Sequence, residues 1–313
     1  MKYRRLGRSG LKVSAISIGG WLTAGGSVEE EDFYRILDLA TERGVNFIDL
    51  ADIYARGGAE RLVGRWLHQR ARHEIVLSSK AFWPMSEGVN NRGLSRKHLF
   101  ESVEQSLRRL NTDYLDIFFC HRFDPETPLD ETVRAMEDLI RQGKILYWGT
   151  SVWSAPQIRE VQLIAERYGA YAPIVEQPMY NLFERSIESE LLPQAEQLGI
   201  GVVVWSPLAG GALTGKYLHR IPNESRGAQT RWLEPWLQPE AQKKVRALKE
   251  VSERLDCSIA TLSLAWLLWR EEVSSVITGA SHVRQLEENL GALEVSLDEE
   301  TYREISALFP TGE

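Results

Sequence analysis

The sequence predicts an α/β fold, a (β/α)8 TIM barrel with an N-terminal β-hairpin and extra C-terminal helices. Three observations carry that prediction. Short apolar runs alternate with amphipathic helical segments along the whole chain. There are eight such runs, and they recur at roughly thirty to forty residues through the barrel, the length that one strand and its helix require. The first run is followed by Gly19-Gly20-Trp-Leu-Thr-Ala-Gly25-Gly26, which does not fit the GxGxxG of a doubly wound dinucleotide-binding sheet. Composition shows no break, so residues 1–313 are expected to form one barrel domain.

Each element has a local reason. Gly7-Arg8-Ser9-Gly10 reads as the turn of a hairpin over residues 3–13. Ala15 to Ile18 is a short strand. Ser27 is expected to cap a helix over Val28 to Arg43, whose Phe33, Ile36, Leu37 and Ala40 share one face and which Gly44 ends. Strands then fall at Phe47–Asp49, Ile75–Lys80, Asp116–His121, Ile145–Ser151, Ile174–Gln177 and Gly201–Trp205. Helices fall between them at Ala59–Gln69, Arg96–Leu110 behind the cap Ser95, Pro128–Arg141, Ala155–Tyr168 and Ser189–Leu198. A long polar loop, rich in Gly, Pro and Arg, is expected from Ser206 to about Pro239. Helices over 240–255 and 258–270, a last strand at Ser275–Gly279 and helices near 282–292 and 298–308 complete the chain.

Composition narrows the function classes. Hydrophobic residues are 43% and charged residues 26%, ordinary for a globular protein with a large core. Net charge is −7 with no basic cluster, which argues against a nucleic-acid partner. Cys120 and Cys257 have neither a CxxC neighbour nor a metal-ligand spacing, so no disulfide framework and no metal site is expected. The start Met1-Lys-Tyr-Arg-Arg-Leu-Gly lacks the apolar core of a signal peptide. The most apolar segment, Leu262–Trp269, is far shorter than the ~20 residues of a membrane span. A cytoplasmic protein with no membrane partner is the expectation.

Chemistry is concentrated where strands end. Asn46-Phe-Ile-Asp-Leu-Ala-Asp-Ile-Tyr54 finishes an apolar run in Asp49 and reaches Tyr54 five residues later; Glu74–Lys80 ends in Lys80, and Leu115–His121 ends in His121. In a barrel, catalytic groups come from the carboxyl ends of several strands. Each residue alone has a plain structural reading: a cap, a rim lysine, a half-buried histidine, loop packing. Together they form a proton-transfer set. A tyrosine with pKa ~10 is a poor acid at neutral pH. A buried Lys80 is expected to lower that pKa, with Asp49 keeping the ammonium charged. Tyr54 would then exchange a proton with a carbonyl oxygen that His121 also hydrogen-bonds. That arrangement suits hydride addition to a carbonyl, with the hydride supplied by a nicotinamide.

Longer motifs point the same way: Lys2-Tyr-Arg-Arg-Leu-Gly-Arg-Ser-Gly-Leu11, Arg92-Gly-Leu-Ser-Arg-Lys-His98, Glu131-Thr-Val-Arg-Ala-Met136, Tyr147-Trp-Gly-Thr-Ser151, Trp205-Ser-Pro-Leu-Ala-Gly-Gly211 and Gly279-Ala-Ser281. With them the chain resembles the aldo-keto reductases over its full length, closest to the branch of the voltage-gated potassium channel β subunits and their bacterial homologues. The resemblance puts the family's catalytic tetrad on Asp49, Tyr54, Lys80 and His121. It also implies NADP(H) extended across the barrel mouth. Gly20, Trp21 and Asp49 would approach the nicotinamide, and Ser151 and Gln177 would bind its carboxamide. Trp205, Ser206, Pro207, Leu208, Ala209 and Gly210 would wrap the pyrophosphate and stack the ring, with Lys216 and Arg226 adding positive charge. Gly279, Ser281, Gln285, Glu288 and Asn289 would hold the adenosine end, Ser281 opening a helix whose N-terminus favours phosphate.

The chain departs from the family in three places. Ala280 and Gln285 stand where many members carry Lys and Arg around the 2′-phosphate, a feature the channel branch shares. Channel subunits carry Asn where this chain has His121, and Arg where it has Val152. The resemblance therefore implies an NADPH-dependent aldehyde and ketone reductase. The alternative is a cofactor-sensing regulatory subunit, with a homo-oligomer possible in either case. A Schiff-base aldolase using Lys80 is disfavoured by Asp49, which keeps the amine charged. Trp21, Tyr54, Phe82, Trp83, Phe123 and Trp153 are expected to wall an apolar mouth, with Trp21, Tyr54, Trp83 and His121 touching substrate, and no Arg or Lys stands out as an anion clamp.

Overall fold

A hairpin closes one end of the barrel. Tyr3–Arg5 (β1) and Lys12–Ser14 (β2) pair antiparallel, and Leu6 and Val13 turn inward against Phe47, Val76, Ile117, Phe119, Val175, Val203 and Ile277. Those seven come from six different barrel strands, so the hairpin acts as a plug on an apolar lower layer. Its turn presses on the residues that lead into the strand at Gly201: Gly7 has φ +59, and a Cβ there would come within 2.2 Å of the Gly199 carbonyl oxygen, so only glycine fits.

The structure is a computed structural model and describes residues 1–21, 23–223 and 225–311. Eight parallel strands form a closed barrel: Ile16–Gly19 (β3), Phe47–Asp49 (β4), Val76–Ala81 (β5), Leu115–Cys120 (β6), Ile145–Ser151 (β7), Val175–Gln177 (β8), Gly201–Val204 (β9) and Val273–Thr278 (β10), with β10 closing on β3. All eight strands foreseen from the sequence are present, within one or two residues at their ends. Between them run Glu30–Glu42 (α1), Gly58–Leu67 (α2), Arg96–Leu110 (α3), Leu129–Arg141 (α4), Ala155–Tyr168 (α5) and Leu191–Leu198 (α6).

Caps and stripes explain these helices. Ser95 accepts from the His98 amide, and Ser154 with Gln157 forms a complete capping box ahead of α5. Gly169 and Gly199, both left-handed, stop α5 and α6. Helix α1 begins at Glu30 with Glu29 in the cap position, two residues later than the start expected at Val28, and the side chain of Ser27 lies outside what the structure describes; Glu30, Glu31 and Asp32 place negative charge against the dipole of the first turn. Phe33, Ile36, Leu37 and Ala40 are buried as their spacing required.

The segment after β9 is less loop-like than its polarity suggested. It holds 3-10 turns at Ala209–Thr214 and Arg231–Leu233 and short helices at Arg226–Gln229 (α7) and Glu234–Leu237 (α8). Ala209, Ala212, Leu213, Tyr217 and Leu233 are buried, so scattered apolar residues tie the segment onto the barrel. Pro239–Arg254 (α9), Ile259–Trp269 (α10), Val283–Gly291 (α11) and Glu299–Leu308 (α12) finish the fold. Helix α10 is apolar all round, as a helix enclosed by its neighbours must be, and every residue but Trp269 is buried. No helix among the described residues is long and apolar enough to cross a membrane.

Candidate active site

The ladders continue past the strand ends and carry the polar residues into place. Gly20 N donates to Asp49 O, Asp52 N to Lys80 O at 3.2 Å, and His121 N to Ala81 O at 3.0 Å. Asp49, Lys80 and His121 therefore stand on three adjacent strands at the carboxyl mouth of the barrel. Tyr54 follows β4 on a turn where Ala55 (φ +49), Arg56 (φ +50) and Gly57 (φ +81) are all left-handed. Among the described residues, seven non-glycine residues share that conformation, and Ala55, Arg56, Val152, Ser206 and Ala209 of these sit just beyond barrel strands. Such backbone costs of order 1 kcal/mol or more per residue and persists only where its surroundings impose it. For the β-branched Val152 it is a clear outlier. Strain here gathers at the mouth.

Asp49 is the hub. Its Oδ2 accepts from Lys80 Nζ at 2.6 Å, and its Oδ1 accepts from Ser78 Oγ at 2.8 Å and Gln177 Nε2 at 2.9 Å. Strands β4 and β8 lie on opposite sides of the barrel, so the bond from Gln177 crosses the lumen. Lys80 Nζ also donates to the Leu50 carbonyl at 2.6 Å. The lysine is fully buried, and its pKa is pushed down by desolvation while Asp49 pushes it back up. A carboxylate in contact and a carbonyl on the same ammonium favour the charged form, and leave no room for the neutral amine an aldolase needs.

Tyr54 and His121 face each other, ring centroids 6.0 Å apart and nearly perpendicular, with Trp83 at 6.2 Å from His121. Burial holds the His121 pKa well below its ordinary value, helped by the positive charges of Lys80 and Arg122, so the ring is neutral. Lys80 Nζ lies 5.1 Å from the Tyr54 ring centre. The expectation that Lys80 lowers the Tyr54 pKa is overturned: the phenol is raised well above its ordinary value, first by desolvation and then by Asp49 and Asp52. The physical reason is first the loss of water around the phenol, to which the Asp49 and Asp52 carboxylates add against Arg122; Asp49, bonded to Lys80 at 2.6 Å, also offsets the field of the ammonium. Tyr54 thus remains a protonated acid.

Behind Tyr54 lies a buried acid that sequence reading passed over. Asp52 is fully buried; its Oδ2 accepts from Ser102 Oγ at 2.6 Å, and its Oδ1 has no partner among the described residues. Desolvation, partly opposed by Ser102, lifts its pKa to about 7. In the unfolded chain an aspartate titrates near ~3.9. Between those values only the folded state holds the proton, so stability from this group is full in acid and is lost as pH rises through about 7. Asp52→Asn is therefore expected to stabilise the protein by on the order of 1–3 kcal/mol at about pH 8 and to change little near pH 4, read from urea unfolding at both. An equal effect at the two pH values would contradict a protonated Asp52.

The other anticipated residues fall in two groups. Ser151 and Gln177 meet across β7 and β8, Ser151 Oγ donating to the Gln177 carbonyl, both buried. Trp205 stands edge-on to Trp21 at 6.0 Å, and Trp21 also leans on Trp232 at 6.1 Å, an aromatic neighbour with no periodic signal in the sequence. Gly210 and Gly211 have φ +62 and +101; a Cβ on Gly211 would strike the end of the Lys216 side chain at 2.6 Å. Lys216 is exposed and Arg226 half-buried, on the segment that follows Ser206, Pro207 and Leu208. Farther round, Gly279, Ser281, Gln285, Glu288 and Asn289 follow β10. Ser281 does not open the helix. His282 holds the cap position, and Gln285 Oε1 reaches back to the Ser281 amide at 2.8 Å and its hydroxyl at 3.0 Å. Asn289 is buried with Nδ2 lacking a partner among the described residues, whereas Glu288 is exposed.

Two further expectations are revised. Trp153 is 1% exposed and belongs to the core rather than the mouth; Phe123, half-buried, packs edge-on against it, while Trp21 and Trp83 remain exposed. And a basic group does stand at the mouth: Arg122, half-buried directly after His121, lies with its guanidinium 5.6 Å from the Trp83 ring centre. Its adjacency to His121 was the one available signal.

A family comparison accords with this architecture. The model of the Aldo/keto reductase family matches residues 15–309. The chain belongs to that family. Two similar proteins, one from Oryza sativa subsp. japonica and one from Arabidopsis thaliana, are each described as "Probable voltage-gated potassium channel subunit beta". Each is 45% identical to it over 302 residues, spanning 94% of this chain and 92% of the relative. Aldo/keto reductases are nicotinamide-dependent oxidoreductases, and that general role comes with membership.

Proposed function

We propose that this protein reduces aldehydes, and also ketones, to alcohols with NADPH, Tyr54 serving as general acid. The observation that carries the reading is the buried Lys80–Asp49 pair beneath a protonated Tyr54 and a neutral His121, all at one barrel mouth. A substrate carbonyl oxygen lodged between the phenol and the imidazole meets two donors. Nδ1 of His121 is buried without a partner among the described residues, so a tautomer with its proton on Nε2 presents an N–H to the carbonyl. As negative charge grows on that oxygen, Tyr54 gives up its proton. The phenolate left behind faces the Lys80 ammonium, 5.1 Å from the Tyr54 ring centre. Trp21 and Trp83 would flank the substrate.

The residues present suit a nicotinamide dinucleotide. Trp205 offers a ring, Ser151 and Gln177 a hydroxyl and an amide beside Asp49, and Gly20 a backbone without a side chain in the way. Ser206 to Gly210 bend through left-handed residues around the next position, and Lys216 and Arg226 bring the charge a pyrophosphate needs. Asn289 Nδ2, buried without a partner among the described residues, would offer adenosine a donor, with Gly279, Ser281, Gln285 and Glu288 on the same stretch after β10. When bound, the nicotinamide supplies the hydride.

The test is loss of nicotinamide absorbance with a panel of aldehydes under NADPH and, separately, NADH. Turnover with NADPH well above that with NADH is expected. A second reading, a cofactor-sensing regulatory subunit, draws on the printed description of the two 45%-identical relatives. Tight NADPH binding with no turnover of any aldehyde would favour it over catalysis.

A further inference from the structure

We propose that Arg122 recognises an anionic group on the substrate, so that the favoured carbonyl compounds carry a carboxylate or a phosphate ester near the reacting carbon. This rests on the reductase reading above and specifies its substrate class.

The argument begins with unused hydrogen-bonding capacity. A guanidinium has five N–H donors, and here one bond is made among the described residues, from Arg122 Nη1 to the His121 carbonyl at 2.5 Å. Arg122 is half-buried and forms no ion pair with any described carboxylate. Arg72, Arg109, Arg185 and Arg270, similarly sheltered, all hold carboxylates, and Arg4 spends its donors on the carbonyls of Leu268, Arg270 and Val273; Arg226, which likewise has no carboxylate among the described residues, lies on the segment assigned above to the cofactor phosphates. After the Tyr54 phenol, the acid that acts most on Arg122 is the carboxyl of Glu176, yet both its oxygens are engaged, Oε1 by the Trp153 amide and Oε2 by Thr150 Oγ1. Partly desolvating a cation without a counter-ion is unfavourable, and an anion arriving with substrate would offset that cost.

Position does the rest. Arg122 follows His121, and its guanidinium lies over Trp83, whose ring also borders His121. An anion on Arg122 would therefore sit beside the ring that walls the carbonyl site, while its own carbonyl oxygen stays between Tyr54 and His121. The plainer alternative is that Arg122 only braces the His121 backbone or supports the Tyr54 phenolate. Either role would act on every substrate alike.

Two matched substrate pairs separate these outcomes: 4-carboxybenzaldehyde with its methyl ester, and glycolaldehyde phosphate with glycolaldehyde. In wild type the charged member of at least one pair should have the lower KM. Arg122→Gln should raise that KM by roughly 10- to 100-fold, the loss of one charge-assisted contact, and leave the neutral partner within about twofold. Arg122→Lys should fall between. Whichever pair responds identifies carboxylate or phosphate as the preferred anion. Equal losses on charged and neutral substrates, or a fall in kcat on both with KM unmoved, would overturn the proposal while leaving the reductase reading standing. Absence of turnover on all four in wild type would remove that reading and the proposal with it.

Discussion

Tyr54→Phe is expected to lower kcat for aldehyde reduction by about 10²- to 10⁴-fold, the usual contribution of a positioned general acid. The change is clean in structural terms. The Tyr54 hydroxyl makes no hydrogen bond to a described residue, and the ring packs by shape alone, so removing one oxygen leaves the turn over residues 54–57 intact. NADPH affinity, read by quenching of tryptophan emission, should be unchanged. The raised phenol also fixes the pH behaviour. Reduction needs the proton on Tyr54, so its rate should hold through neutral and mildly alkaline pH and decline only as the phenol ionises, whereas oxidation of the product alcohol, which needs the phenolate, should rise with pH over the same range. A phenylalanine variant that kept a tenth or more of wild-type kcat would remove Tyr54 from the acid's role.

Lys80→Met should cost stability as well as activity. The substitution keeps an aliphatic stem but leaves the Asp49 carboxylate 3% exposed, with only Ser78 and Gln177 to bond it. Breaking one partner out of a buried pair typically costs about 3–5 kcal/mol, because the remaining charge is uncompensated. The same logic makes the pair non-additive. Asp49→Asn alone strands the ammonium, while the double variant strands neither charge. The double variant should therefore lose less stability than the sum of the two singles, by on the order of 1–3 kcal/mol in a urea-unfolding cycle. Strict additivity would mean that the two groups are not coupled in solution as they are at 2.6 Å here.

Much of this was legible in the chain itself. The strands are short apolar runs bounded by Gly and polar residues, and the helices carry one apolar face behind caps such as Ser95 and Ser154; both are local patterns, and local chemistry decides them. The barrel followed because alternating strand and helix leave few ways to bury both faces of a parallel sheet. Once the barrel is given, Asp49, Lys80 and His121 must share a mouth, since each ends a strand.

What sequence could not decide was everything that depends on distance across the barrel. Gln177 lies 128 positions from Asp49 in the chain, yet its amide crosses the lumen to that carboxylate. The sign of the Tyr54 shift turned first on how completely the fold strips water from the phenol and then on the nearness of Asp49, neither of which residue types alone reveal. The protonated Asp52 depends on how completely Ser102 and its neighbours exclude water. Trp153 reads like a mouth residue in sequence and is core in space, while Arg122, plain in sequence, is left at the mouth without a carboxylate. Periodicity reports which face of an element is buried; partners, fields and solvent exclusion arise only when distant segments close on one another.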